Sequence, residues 1–322
     1  ARGADILILD EPTAVLTPQE TEKLFAILRK MRAEGHAVVI ITHKLAEVLD
    51  VSDRVTILRK GESVGTVITA QTNVQQLTEL MVGRPVSLRI DREELEPGET
   101  LLDVHDLCVT GEDGVRRLDH ISFQLHEREI LGVCGVAGSG QKELCEAIAG
   151  LQQVDAGSIL MEGKRVDGLT PREIIRKGIS MSFIPEDRLG MGLVGGMSIT
   201  DNMLLKTYGD QQGPFLRRKP AKALAEKLIQ RLQISTPSAS IAVKKLSGGN
   251  VQKVLLGREI DLNPKVLITA YPVRGLDIGS SYTIYDLLQE QKRKGVGILY
   301  IGEDLDVLLE LCDRILVLCG GK

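Results

Sequence analysis

Tryptophan is absent from the 322 residues, and the other aromatics amount to four Phe and five Tyr. Few side chains are therefore available on which a planar ligand ring could stack. Long hydrophobic runs are missing as well. The stretches 37–41 and 298–301 are strand-sized, far short of the roughly 20 apolar residues of a membrane-spanning helix. No excess of positive charge exists: 40 Lys and Arg face 44 Asp and Glu, net −4, which argues against a broad nucleic-acid surface. Five cysteines, an odd number, form no C-x-x-C pair. Most lie in apolar strand or helix patterns, so they read as small buried hydrophobes in a reducing compartment. The remaining composition, 43% hydrophobic and 26% charged, is that of a globular protein.

What is present is an internal repeat at an offset of 260 residues, Ile6 to Val266. Ile6-Leu7-Ile8-Leu9-Asp10-Glu11-Pro12-Thr13 aligns with Val266-Leu267-Ile268-Thr269-Ala270-Tyr271-Pro272-Val273. The match continues without a gap through Leu28/Leu288, Gly35/Gly295, Leu45/Leu305 and Asp53-Arg54/Asp313-Arg314 to Gly61/Gly321. Two units of one fold are implied. Because one period is longer than what remains after it, both ends look cut and a longer native protein is expected. The copies differ where chemistry would sit: Asp10, Glu11 and His43 in the first, Ala270, Tyr271 and Glu303 in the second.

The first segment reads strand, helix, strand, helix, strand. The run Ile6 to Leu9 is continuously apolar, as in a parallel strand covered on both faces. Thr17-Pro18-Gln19-Glu20 is a capping box that opens a helix closed by Gly35. Residues 37–41 form a second buried strand, and 55–58 a third, turning at Lys60-Gly61-Glu62. A strand and a short amphipathic helix (Leu77, Leu80, Met81) follow, then a charged, turn-rich junction at 91–99. Beyond it come strands near 101–109 and 120–125, a strand at 130–134, a helix at 142–149, a capped helix after Thr170 and a strand at 179–184. Residues 201–234 are mostly helical in pattern, and one more helix leads into the Val266 strand. The alternation predicts an α/β architecture.

The strand at 130–134 runs into Gly135-Val136-Ala137-Gly138-Ser139-Gly140 and then a helix, the anatomy of a phosphate cradle. A P-loop would continue with Lys and Ser or Thr. Here Gln141 stands at the lysine position, Lys142 at the hydroxyl position, and Glu143 follows. The turn reads as a cradle that binds nucleotide without efficient hydrolysis, because charge neutralisation dominates the transition state, or else as a tight βα turn with no ligand. In the first unit the two acids follow a strand, at the sheet edge where ligands bind in open α/β folds. Asp10 suits magnesium and Glu11 an attacking water, while His43 ends a neighbouring strand and suits a γ-phosphate. Leu246-Ser247-Gly248-Gly249-Asn250-Val251-Gln252 puts two glycines and a serine ahead of a helix, aimed at an anion or simply forming a cap.

Together these motifs resemble the ATP-binding subunits of ABC transporters. Residues 246–252 are similar to the signature sequence of that family, Ile6 to Thr13 to its Walker B segment, 14–17 to the D-loop and Thr42-His43 to the switch histidine. More narrowly, Met81-Val82-Gly83-Arg84, Pro185-Glu186-Asp187-Arg188 and Pro272-Val273-Arg274-Gly275-Leu276-Asp277 resemble the duplicated ATPases of bacterial importers for simple sugars and purine nucleosides. The resemblance implies a P-loop NTPase, ABC-ATPase fold with a mixed sheet core, an antiparallel β subdomain and a helical subdomain. Its divisions would be 1–62, the C-terminal part of a first nucleotide-binding domain; 63–100, its end and a linker; and 101–322, a second, degenerate domain with its helical subdomain at about 190–250.

The resemblance further implies ATP and Mg²⁺ as cofactors, with Asp10 on the metal and Glu11 and His43 catalytic. Gly135, Gly138, Ser139, Gly140, Gln141, Lys142, Glu143, Ser247, Gly248, Gly249, Asn250 and Gln252 would be the nucleotide-binding positions. Implied partners are integral membrane permease subunits, a second nucleotide-binding unit in a head-to-tail pair and, indirectly, an external solute-binding protein, at the cytoplasmic face of the plasma membrane; nucleic acid is not among them. One site would be competent and the other degenerate, and this chain alone inactive. Thr17 departs from the D-loop aspartate, which Asp277 keeps. A soluble twin ATPase acting on ribosomes or nucleic acid is the alternative; the short junction and the one-sided decay argue against it.

Overall fold

The computed structural model describes residues 5–322 apart from 14, 15, 43, 60, 84, 86, 87, 112, 137, 184–191, 212–214 and 275. Two compact units emerge: Ala1–Arg89 with Asp277–Gly279, and Ile90–Leu276 with Ser280–Lys322.

In the first unit β1 (Ile6–Asp10) pairs in parallel with β2 (Ala37–Ile41), joined by helix α1 (Pro18–Ala33). The helix starts where the sequence predicts. Thr17 accepts the Glu20 backbone N–H while the Glu20 carboxylate reaches back to the Thr17 amide, so two orphan donors of the first turn are satisfied. Phe25 and Leu28 are the buried face of α1. Helix α2 (Leu45–Val51), the hairpin β3 (Arg54–Arg59) and β4 (Glu62–Ile68), and helix α3 (Val74–Val82) complete the unit around Leu45, Ile57 and Leu77.

One expectation fails here. The runs in β1 and β2 were expected to be covered on both faces, yet their burial alternates, and Ile6, Ile8, Val39 and Ile41 are 62%, 66%, 48% and 52% exposed. Apolar composition shows that a strand can be covered on both sides; a second layer must be at hand to do it. Among the described residues α1 packs on β2, and the opposite face stays open.

The second unit has both layers. Its strands are β5 (Thr100–Thr110), β6 (Arg116–His126), β7 (Ile130–Gly135), β8 (Ala156–Met161), β9 (Lys164–Arg165), β10 (Ile179–Phe183), β11 (Val266–Ala270), β12 (Gly297–Ile301) and β13 (Arg314–Leu318). Its helices are α4 (Gln141–Ile148), α5 (Pro171–Arg176), α6 (Ile199–Leu204), α7 (Lys219–Arg231), α8 (Gly248–Asp261), α9 (Ile278–Arg293) and α10 (Leu305–Leu311). A parallel sheet runs β10-β11-β12-β7-β13. The antiparallel component is a separate sheet ordered β6-β5-β8-β9. One core lies between these sheets and α4, built on Leu102, Leu131, Val133, Leu144, Ile268 and Leu299. A second covers the other face with Leu267, Ile298 and Tyr300 against Val254, Leu255, Ile284 and Leu288 of the helices. Every residue of β11 and β12 is consequently buried.

The repeat is reproduced in three dimensions. Ile6 pairs with Ala37 as Val266 pairs with Gly297. Helices α1 and α9 have equal lengths at the same offset, as do α2 and α10. Even one ion pair recurs: Arg32 to Asp53 at 2.5 Å, and Lys292 to Asp313 at 2.6 Å. In the second unit this lysine is fully buried and also donates to the Glu93 carbonyl at 2.6 Å.

Candidate nucleotide and catalytic sites

The glycine-rich turn follows β7 and ends at α4. Gly138 (φ +83°) and Gly140 (φ +105°) occupy backbone that other residues rarely adopt. Space imposes the same choice at Gly140, where a Cβ would lie 2.6 Å from Leu118 Cδ2 and 2.8 Å from the Arg117 carbonyl. At Gly135 a Cβ would stand 2.3 Å from the Leu318 carbonyl. Ser139 is buried, and its amide donates to the Val136 carbonyl at 3.1 Å.

Gln141 has turned inward. It is 4% exposed, and its Nε2 donates to the Val136 carbonyl at 3.2 Å. The side chain at the lysine position therefore braces the loop instead of reaching out for a phosphate. Lys142 points to solvent and pairs with Glu146 at 3.8 Å. Burial raises the Glu146 carboxyl above its ordinary range, and Lys142 partly offsets that.

The strand ends carry the contrast between the units. Glu11 (φ +46°) and Tyr271 (φ +53°) both sit in left-handed backbone directly after β1 and β11. Each amide donates to the neighbouring strand at 2.8 Å, Glu11 to Ile41 and Tyr271 to Ile301. One bend thus presents a carboxylate in the first unit and a phenol in the second. Asp10 ends β1 and is exposed; Ala270, its counterpart, is 1% exposed and has no ligand atom. The Arg274 guanidinium stands 5.9 Å from the Tyr271 ring centre and 3.8 Å from Glu303. Burial raises the Tyr271 phenol above its usual range; Glu303 and Glu143 add to this and Arg274 opposes it. Hence Tyr271, Glu303 and Glu143 of the glycine-loop helix form one electrostatic neighbourhood. His43 lies outside the described residues, as do 14, 15, 84, 137, 185–188 and 275 of the motifs. Next to it, Lys44 pairs with Glu47 at 3.2 Å and donates to the Thr13 carbonyl at 3.2 Å.

Ser247 is the residue before α8, and Gly248 and Gly249 form its first turn. Asn250 Nδ2 donates to Ser247 Oγ at 2.8 Å, and Asn250 Oδ1 accepts the Ser235 amide at 2.9 Å. A Cβ on Gly249 would lie 2.8 Å from Leu276. Gln252 is 1% exposed and donates to the Arg274 carbonyl. That bond ties the start of α8 to the turn that positions Arg274 over Tyr271.

The ABC transporter family profile matches residues 118–272. A glucose import ATP-binding protein of Haloferax volcanii is 40% identical over 326 residues, covering 100% of this chain and 59% of that protein. A guanosine import ATP-binding protein of Bacillus subtilis is 40% identical over 332 residues, with 100% and 63% covered. Residues 118–272 thus match the ABC transporter domain, and the whole chain is similar to ATP-binding proteins of import systems. It spans about three fifths of the length of these curated relatives. A solved ATP-binding subunit of an ABC transporter, 25% identical, superposes with a TM-score of 0.57 over 69% of this chain and 87% of that one. A dimeric bacterial ABC transporter cassette, 19% identical, shares the fold with a TM-score of 0.60 over 69% and 95%.

Two features of these sites have little or no signal in the motifs. The Arg274–Glu303 pair at Tyr271 joins residues from the ends of two adjacent strands; its only linear signal is the i, i+3 spacing of Tyr271 and Arg274. The inward turn of Gln141 has no linear signal, since a glutamine reads equally well as a weak phosphate ligand.

Proposed function

We propose that this chain is part of an ATP-hydrolysing subunit that drives import of a simple sugar or nucleoside, with one competent and one degenerate ATP site. Its partners are integral membrane permease subunits, which receive solute from an external binding protein, and it works at the cytoplasmic face of the plasma membrane. No described helix is long and apolar enough to cross a membrane; the transport path belongs to the permease. A nucleotide-binding unit paired head to tail supplies the rest of each site. ATP binding closes the pair, and hydrolysis with product release reopens it.

The observation that carries this reading is the shared bend. At one backbone position, with one anchoring hydrogen bond, the first unit presents Glu11 and the second Tyr271. Glu11 orients the attacking water and takes up its proton, which a phenol held protonated by burial does poorly. Mg²⁺ would neutralise phosphate charge when bound. Asp10 offers an exposed carboxylate for it. On the second side Ala270 has no donor, and Lys142 offers only an ammonium where a hydroxyl is required. The residues fit the metal in the first unit and do not fit it in the second. The first turn of α4 leaves amides outside the intrahelical ladder for a phosphate, so the second site holds nucleotide without turning it over.

The test is ATP turnover by the whole subunit in its transporter. Glu11→Gln is expected to lower turnover by about 10²-fold or more, with nucleotide binding retained. Tyr271→Phe should leave it within about twofold, as the phenol hydroxyl has no step to perform. Full-rate turnover by Glu11→Gln removes the assignment.

A further inference from the structure

We infer that Cys108, Asp119 and His120 form a site for a zinc-type divalent cation on the antiparallel sheet of the second unit. None of the three takes part in the ATP chemistry proposed above. The site arises from irregular pairing. The β5–β6 register slips between Val104 and Leu107, and again between Leu107 and Val109. Asp106 (φ +54°) and His120 (φ +59°) take left-handed backbone there, conformations that a regular ladder would not hold. As a result a sulfur from one strand and two donors from the other converge. Cys108 Sγ, an Asp119 carboxylate oxygen and a His120 ring nitrogen all lie within 4.8 Å of one another. Among the described residues no other group of three His, Cys, Asp or Glu side chains does so.

The surroundings are arranged as a metal ligand set requires. Asp106 Oδ1 lies 2.7 Å from His120 Nδ1, which directs Nε2 to the cluster, where it stands 3.9 Å from Asp119 Oδ1. A carboxylate behind the imidazole is the usual means of fixing tautomer and ring orientation in metal-bound histidine. The His120 amide donates to Cys108 Sγ at 3.4 Å and holds the buried sulfur at the cluster. Thiolate, imidazole and carboxylate together favour zinc over the oxygen-preferring magnesium and calcium. Thiolate and carboxylate also neutralise a dication. Three protein ligands leave a fourth position for water or a further ligand. Asp119 and His120 line a surface depression with Ser122, Leu316 and Lys322 that gives entry. Lys322 (3.4 Å) and Arg116 (3.6 Å) also pair with Asp119, and a bound ion takes over from these two exposed cations. The site adjoins the nucleotide loop: the Asp119 amide donates to the Gly321 carbonyl at 2.7 Å, and the Gly321 amide to the Ser139 carbonyl at 3.1 Å.

Cobalt(II) titration of the metal-free chain tests this, because cobalt reports thiolate ligation by a charge-transfer band and four-coordination by its visible spectrum. The expected result is one cobalt per chain with a thiolate band that zinc displaces. Cys108→Ser loses the band, whereas Cys319→Ser, at the exposed cysteine, keeps it. His120→Gln changes an exposed side chain and separates loss of a ligand from loss of the fold; it should abolish four-coordinate cobalt while the circular dichroism stays unchanged. Asp106→Asn, tolerated in left-handed backbone, should keep the band and weaken cobalt binding by about 10- to 100-fold. A wild-type spectrum without a thiolate band, a band that persists in Cys108→Ser, or four-coordinate cobalt in His120→Gln overturns the proposal.

Discussion

Replacing Glu259 by Gln should destabilise the second unit far more than the loss of one hydrogen bond. The carboxylate lies on α8, whose first turn carries Ser247 to Asn250, and it is wholly buried. It accepts from Arg258 Nε at 2.9 Å and Nη2 at 2.8 Å, from Ser180 Oγ at 2.5 Å, and from Lys206. Arg258 and Lys206 are themselves 5% and 19% exposed. Burial pushes the Lys206 ammonium below the usual lysine range; Glu259 pulls it back up and Arg258 pushes it down again. Glutamine keeps the shape and one acceptor but leaves two cations buried side by side without their counter-ion. Breaking a buried pair in this way costs about 3–5 kcal/mol. For a unit of this size, each kcal/mol lowers the melting temperature by about 2–4 °C, which gives a fall of about 6–20 °C. Thermal unfolding followed by calorimetry measures it, the affected transition being that of the second unit. A triple apolar variant, Lys206→Met with Arg258→Met and Glu259→Met, should recover most of the loss. It will not recover all of it, since Arg258 also donates to the Gly192 and Asn202 carbonyls. A Glu259→Gln protein melting within about 2 °C of the parent would refute a buried charge cluster at this place.

Gly140→Ala should cost about 1–3 kcal/mol, combining left-handed backbone with a Cβ pressed on Leu118 and the Arg117 carbonyl. It should also weaken binding of a fluorescent ATP analogue to the second unit, read by titration alongside a melt. At the start of α5, hydrogen bonds from the Thr170 hydroxyl and backbone hold the Glu173 carboxyl below its ordinary value of 4.5. A depressed carboxylate stabilises the fold above its unfolded value and stops doing so as pH falls through the lower folded one. Amide protection factors in the first turn of α5, taken against the intrinsic exchange rate at each pH, should therefore fall as pH drops below 4.5. Thr170→Ala should remove that dependence; a pH response unchanged in this variant would assign it elsewhere.

Local signals carried much of the fold. Both capping boxes form at Thr17 and Thr170 as written in the sequence, because their partners lie three residues apart. The strand–loop–helix at 130–148 follows from glycines that sterics demand. Burial of β1 and β2 was misjudged, since coverage depends on a layer that no property of the strand itself specifies. The strands β8 and β9 escaped the pattern reading because their pairing with β5 is long-range. Reading all five cysteines as inert fillers holds for Cys145 and Cys312, where burial raises both thiols, Cys312 to about 12. It fails for exposed Cys319. At Cys108 the decisive fact is a register slip between two strands, invisible to any linear spacing.

The paired bends at Glu11 and Tyr271 have a consequence for how such duplicated proteins diverge. Main-chain atoms alone hold the geometry, so the identity of the side chain is free to drift without unsettling the scaffold beneath it. On the function proposed above, a single codon change at that point silences one engine of a tandem while leaving its chassis intact. By the same logic a carboxylate could be set at Tyr271 without rebuilding the bend, while Ala270, Gln141 and Lys142 would still leave that side without its metal and phosphate ligands.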